Sequence, residues 1–205
     1  MCRAPARQGT MRAMTSKRYI ALLRGVNVGR AKRIAMADLR KLIEDLGYTG
    51  VRSVLNSGNV VFSGPVRPQD DVAAAIEDVL VLKLGVAART LVLDGEELAA
   101  IVAANPLLDQ AGDHARLVTF ILSSPLSTPP AKPELRQAIE HLCGQDWQPG
   151  ALALGERAAY VWCPDGILDS AAAAALGKLL GDATTSRNWT TLLKLHALSK
   201  EAAPS

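Results

Sequence analysis

Aromatic residues make up only 4% of this 205-residue chain, and that scarcity bears on function at once. Proteins that hold single-stranded nucleic acid stack bases on exposed rings at about 1–3 kcal/mol per base; three Trp, three Tyr and two Phe supply few platforms. Cysteine is just as sparse. Cys2, Cys143 and Cys163 are widely spaced and never form a Cys-x-x-Cys pair, which argues against a disulfide framework and for free thiols in a reducing compartment, most simply the cytoplasm. His114, His141 and His196 are scattered too, so no metal site is expected. Apolar windows such as Val79 to Leu93, interrupted by Lys83 and Arg89, fall short of the roughly 20 residues that span a bilayer, and no membrane anchor is expected. Neither the Gly-x-Gly-x-x-Gly of a dinucleotide fold, nor a phosphate-binding P-loop, nor Gly-x-Ser-x-Gly is present, so no motif names a cofactor or a nucleophile.

A cationic body is also missing, despite a formal charge of +3 and an isoelectric point near 8.9. Arg3, Arg7, Arg12, Lys17 and Arg18 precede Tyr19 with no acid among them, and from Tyr19 onward 18 basic residues stand against 20 acidic ones, a net of −2. Nucleic-acid binding is therefore disfavoured as a partner class. Residues 1–17 read as a disordered or misassigned start, with Met11 and Met14 as alternative initiators, and contain no apolar core of a secretory signal.

What is there is a balanced globular composition, 49% apolar and 21% charged, and an ordered succession of elements. Tyr19 to Arg24 reads as a strand, and Met36, Leu39, Ile43 and Leu46 fall at helical spacing before Gly47. Val51 to Leu55 and Val60 to Ser63 flank Asn56-Ser57-Gly58-Asn59 as a hairpin; Pro68 to Leu82 is a helix and Val86 to Leu93 the strand after it. A linking helix runs to Ala103. The order then recurs: strand Leu117–Leu122, helix Glu134–Leu142, hairpin Ala151–Leu154 and Ala159–Trp162, helix Ser170–Leu180, short strand Ala183–Ser186, and a last helix Trp189–Leu198. This predicts an α+β chain of two ferredoxin-like (β-α-β-β-α-β) halves, residues 18–93 and 115–187, with a linker at 94–114 and a C-terminal helix and tail at 188–205. The proline-bearing stretch Ser123 to Pro133 reads as a surface loop.

The candidate site follows from that topology. In such a unit the loop after the first strand and the turn between the second and third lie at one edge of the sheet, which places Arg24, Gly25, Asn27 and Gly29 beside Asn56, Ser57, Gly58 and Asn59. Six basic residues, Arg24, Arg30, Lys32, Arg33, Arg40 and Lys41, crowd this stretch against Asp38 alone. Arginine supplies a fork of donors and glycine lets backbone approach, so the edge is a candidate site for a small anionic ligand, phosphate- or nucleotide-like. The alternative is a turn whose Asn and Ser side chains cap their own backbone, with Arg24 in a surface ion pair. Arg187 and Asn188 form a second polar cluster that either caps the last helix or adds to a ligand site at its N-terminus. Ser57 has no assignable His-Asp partners, and Asp70-Asp71 and Glu96-Glu97 open helices, where they complement the dipole. Whether the chain is an enzyme stays open, as does its oligomeric state. A nucleic-acid or protein interaction module using the sheet surface, with Tyr19 and Phe62 as the candidate rings for an RNA reader, is the rival.

The blocks Tyr19 to Gly29, Met36 to Arg40, Leu46-Gly47-Tyr48, Leu55 to Phe62, Asn105-Pro106 and Arg187 to Leu195 resemble a bacterial family known as domain of unknown function 1697. The resemblance runs from Tyr19 to about Leu198. It implies a compact protein of two ferredoxin-like halves, with no activity and no catalytic residues to carry over. Where members usually carry a second glycine followed by Asn or His, this chain has Arg30 and Ala31, which makes its loop more cationic.

Overall fold

The computed structural model describes residues 16–27, 33–127 and 133–201. Its first unit is β1 (Ser16–Leu23), α1 (Met36–Asp45), β2 (Thr49–Val54), β3 (Asn59–Pro65), α2 (Gln69–Leu84) and β4 (Thr90–Asp94). Helix α3 (Gly95–Ala103) leads on to β5 (Leu117–Leu122), α4 (Pro133–Cys143), β6 (Ala151–Leu154), β7 (Ala158–Trp162), α5 (Ala171–Leu180), β8 (Thr184–Asn188) and α6 (Trp189–Lys200). The strands form two four-stranded sheets, ordered β2-β3-β1-β4 and β6-β7-β5-β8, with every neighbouring pair antiparallel.

Each sheet is covered on both faces, which is why β1 from Tyr19 to Leu23 and β5, but for Thr119, are apolar at successive positions. Tyr19, Ala21 and Leu23 of β1 join Leu39, Ile43, Ile76 and Leu80 of α1 and α2 in an outer core. Ile20 and Leu22 point the other way, into a core shared with Leu117 and Ile121 of β5, Leu98 and Ile101 of α3, and Trp189, Leu192 and Leu195 of α6. A third core lies between the second sheet and α4 and α5, around Phe120, Ile139 and Leu176. The two sheets thus share their middle layer. The Tyr160 hydroxyl donates to the Ile101 carbonyl there at 2.7 Å, and its ring meets Trp189 edge-on, centroids 6.3 Å apart.

Local sequence sets the ends of the elements. Asp94 accepts from the Glu97 amide at 2.8 Å while Glu97 accepts from the Asp94 amide at 3.1 Å, a capping box that starts α3. Ser170 caps α5 and Asn188 caps α6. Gly85, in the left-handed region at φ 64°, closes α2, and the Val86 amide still bonds the Leu80 carbonyl. The chain is therefore completing a helix where a strand from Val86 was expected, and β4 begins only at Thr90. β1 begins at Ser16, two residues inside the stretch expected to precede the fold, with Lys17 2.6 Å from Asp94. Residues 1–15, most of that stretch, lie outside the described residues. β8 extends past Ser186 to Asn188, which makes Arg187 a strand residue. No helix among the described residues is long and apolar enough to cross a membrane.

Candidate functional site

The end of β1 decides where the expected site residues go. Successive residues of a strand bond to opposite neighbours: the Leu23 amide donates to the Gly58 carbonyl and the Arg24 amide to the Arg89 carbonyl, both at 2.8 Å. Arg24 therefore leaves on the β4 side. Its guanidinium donates to the Gly181 carbonyl at 2.9 Å and pairs with Asp182 at 3.0 Å, beyond α5. The expectation that it faces Asn56 and Asn59 is corrected on this point. Gly25, at φ 67° with open space around it, turns the chain back toward β3.

Asn27 does reach the β2–β3 turn. Its side-chain amide donates to the Asn56 carbonyl at 2.6 Å and to the Ile34 carbonyl at 2.9 Å, and its oxygen accepts from the Ile34 amide at 2.8 Å. The bond to Asn56 clips the loop after β1 to the turn, and the two to Ile34 tie the start of that loop to its end. Gly29, Arg30 and Lys32 lie outside the described residues. Within the turn the left-handed positions are Leu55, φ 57°, and Gly58, φ 71°. Glycine is needed at 58 for a second reason, since a Cβ there would stand 2.6 Å from Val26 Cγ2 and 2.7 Å from Leu23 Cβ. The glycine expected to admit a ligand admits the protein's own β1 instead.

Asn59 is fully buried. Its amide donates to the Val54 carbonyl at 3.1 Å and to Ser57 Oγ at 2.8 Å, which leaves its oxygen for Arg187 Nε. Arg187 comes from the other sheet. Its Nη1 donates to Thr185 Oγ1 at 2.8 Å and to the Ser186 carbonyl at 2.7 Å, and its Nη2 to the Leu23 carbonyl at 2.7 Å. Four neutral acceptors thus serve a group with five N–H donors. No carboxylate among the described residues pairs with it, and burial alone lowers its pKa to about 10, so the guanidinium still carries its charge at neutral pH.

Arg187 lines a cleft of about 450 Å³ between the halves, together with Gly25, Ser57, Asn188, Arg116 and Thr191. Asn188 accepts from the Thr191 amide at 3.0 Å and its hydroxyl at 2.6 Å, so it caps α6, whose first turn opens on this cleft. Gly25, Ser57, Arg187 and Asn188 of the expected set therefore share one volume, Asn27 and Asn59 brace its walls, and Asn56 contributes a carbonyl to the brace. Arg116 and Thr191 had escaped sequence reasoning: Arg116 is a lone cation before a strand, and nothing in its neighbours marks it. Arg116 is engaged locally, 3.7 Å from Asp113 and bonded to the Pro164 carbonyl.

The remaining candidates settle elsewhere. Asp70 and Asp71 open α2 and Glu96 and Glu97 open α3; Glu97 also approaches Arg157 of the second half at 3.5 Å. Tyr19 and Phe62 are fully buried, ring centroids 5.7 Å apart, so these rings face the outer core and not a bound base. Among the described residues no three His, Cys, Asp or Glu side chains gather as metal ligands.

The profile of a family described as "Protein of unknown function (DUF1697)" matches residues 16–160. Among solved structures the chain is similar to conserved bacterial protein SP0830 from Streptococcus pneumoniae, at 23% identity over 91% of this chain and 100% of that one, with a TM-score of 0.70. At that identity the likeness speaks for the fold. No curated protein matches the sequence.

Proposed function

The chain belongs to the DUF1697 family, whose description carries no activity, and from the cleft itself we propose that the protein binds a small organic anion between its two halves. One observation carries this reading: Arg187 is a charged group pressed among neutral acceptors, with one Nη2 N–H left over and no carboxylate partner among the described residues. Burying an unpaired charge is costly, and an anion in the cleft it lines relieves that cost. The first turn of α6 adds to the attraction, because helix N-termini present unbonded amides and a positive dipole end. The site has moved from its expected position. Its centre is Arg187 with Ser57 and Gly25, and Arg24 lies on the other side of β1.

We read each half as a ferredoxin-like unit, in keeping with the strand orders and the β-α-β-β-α-β succession. Free thiols at Cys143 and Cys163 agree with a cytoplasmic location. A purely structural role for Arg187 is the competing reading, favoured by its bonds to Leu23 and Asn59, which already tie one sheet to the other. Ser57 separates the two. It is exposed and lines the cleft, so Ser57→Asp leaves the fold in place, can still accept from Asn59, and sets a carboxylate before Arg187. Thermal-shift measurements with inorganic phosphate, a nucleoside monophosphate and octanoate should show stabilisation of the native protein by at least one of them, absent in Ser57→Asp. No shift with any of the three in either protein overturns the reading. Chemical change of a bound anion over time would make the protein an enzyme.

A further inference from the structure

The cleft that holds Arg187 also carries apolar surface that an inorganic anion does not use. Leu55 and Ile167 line it and are 54% and 42% exposed; Val26 and Val118 lie beneath, both buried. Leu55 is the more telling. It sits in the left-handed region at φ 57°, where a leucine is strained and Asn or Gly is relaxed, and its exposure returns little burial for that strain. Branched aliphatic side chains thus stand in water beside a guanidinium without a counter-ion.

Charge narrows the ligand further. Arg116 is occupied by Asp113 and the Pro164 carbonyl, and Arg24 pairs with Asp182 outside this cleft. Among the described residues that line the cleft, one uncompensated cation remains. The volume, about 450 Å³, lies in the range of sites that enclose organic ligands and is far larger than a small oxyanion.

Resting on the anion-binding reading, we infer that the ligand is an amphipathic monoanion: a carboxylate head at Arg187 and the first turn of α6, with a hydrocarbon body against Leu55 and Ile167. Both parts of the cleft are then used. The head meets the spare N–H of Arg187, and the apolar body covers side chains that otherwise stand exposed.

Calorimetric titration of the full chain with butyrate, hexanoate, octanoate and inorganic phosphate tests this. Affinity should climb along the carboxylate series by up to about fourfold for each methylene that becomes fully buried, and octanoate should bind at least tenfold more tightly than butyrate. Leu55→Asn replaces a strained leucine by a residue suited to its backbone, so its Tm should stay level or rise while octanoate affinity falls about tenfold and phosphate affinity holds. Equal affinity for butyrate and octanoate, or undiminished octanoate binding by Leu55→Asn, overturns the amphipathic ligand, while binding of phosphate or butyrate lost in Ser57→Asp leaves the anion site standing. If none of the four binds, both readings fall.

Discussion

Arg187 in β8 donates its Nε–H to the side-chain oxygen of Asn59 in β3, joining the two sheets through residues 128 positions apart. The bond depends on Asn59 being held from its other end, where Val54 and Ser57 take both amide hydrogens. The polarity of the contact is thereby fixed, with acceptor to the arginine and donors to the turn.

Arg187→Ala should destabilise the protein by about 2–4 kcal/mol, because it leaves the Asn59 oxygen and the Leu23 carbonyl without their donor in a tight space. Arg187→Lys keeps the charge but not the planar fork, and should fall between the two. Urea denaturation of the three proteins gives the order.

Gly58→Ala should cost about 2–4 kcal/mol, from a Cβ driven against Leu23 and Val26 and from the left-handed backbone that alanine resists. The denaturation midpoint reports it. A Gly25→Ala variant, with open space around its Cβ, carries only the backbone penalty and should lose less.

Anion affinity should be level with pH below about 10 as far as Arg187 is concerned, and fall above it. The sign follows from burial, which lowers the pKa of Arg187 to about 10; deprotonation removes the charge that attracts the ligand. Titration of octanoate at pH 8, 9 and 10.5 follows the loss, and a fall already between pH 8 and 9 would argue against a head at Arg187.

Acid should unfold the protein through Asp94. Burial alone would raise the pKa of its carboxyl, but the Lys17 ammonium and the amides of Glu97 and Glu96 outweigh it and hold the pKa below 3.8. A carboxylate so depressed contributes stability above its unfolded pKa and loses it as pH falls through the folded value. Between pH 5 and 2.5 the native protein should lose stability more steeply than Asp94→Asn, as followed by urea midpoints.

Tyr160→Phe should lose about 1–2 kcal/mol by orphaning the buried Ile101 carbonyl. The phenol itself is raised to about 12 by burial, so alkaline difference spectra should show a tyrosine titrating near that pH that this variant lacks.

The strands and helices were legible in the chain wherever a short-range rule governs them. Gly47 after α1 and Asn188 before Trp189 both mark ends that neighbouring residues decide. The meeting of the loop after β1 with the β2–β3 turn was legible too, since strand order alone requires it, and Asn27 makes the contact. The direction of Arg24 was not. It depends on Gly181 and Asp182, more than 150 residues away, and on which side of β1 its amide bonds. Leu55 was missed for a related reason: the turn was read from its Asn and Gly, whereas the leucine before them turns left as well as Gly58. The strand was expected to stop at Ser186, short of Arg187, because edge strand β8 is half open to the cleft and lacks the apolar alternation of a covered strand.

The layer of α3 and α6 between the sheets has one more consequence. Neither half owns a finished interior: Ile20, Leu22 and Val61 of one and Leu117, Ile121 and Ala158 of the other fill the same space. Cut within the connection from Ala104 to Arg116, either piece would carry a naked sheet face seeking its complement. Two molecules that opened at that connection could satisfy each other by trading halves, so the span that makes one chain fold as a unit is also the place where two chains could become interlocked.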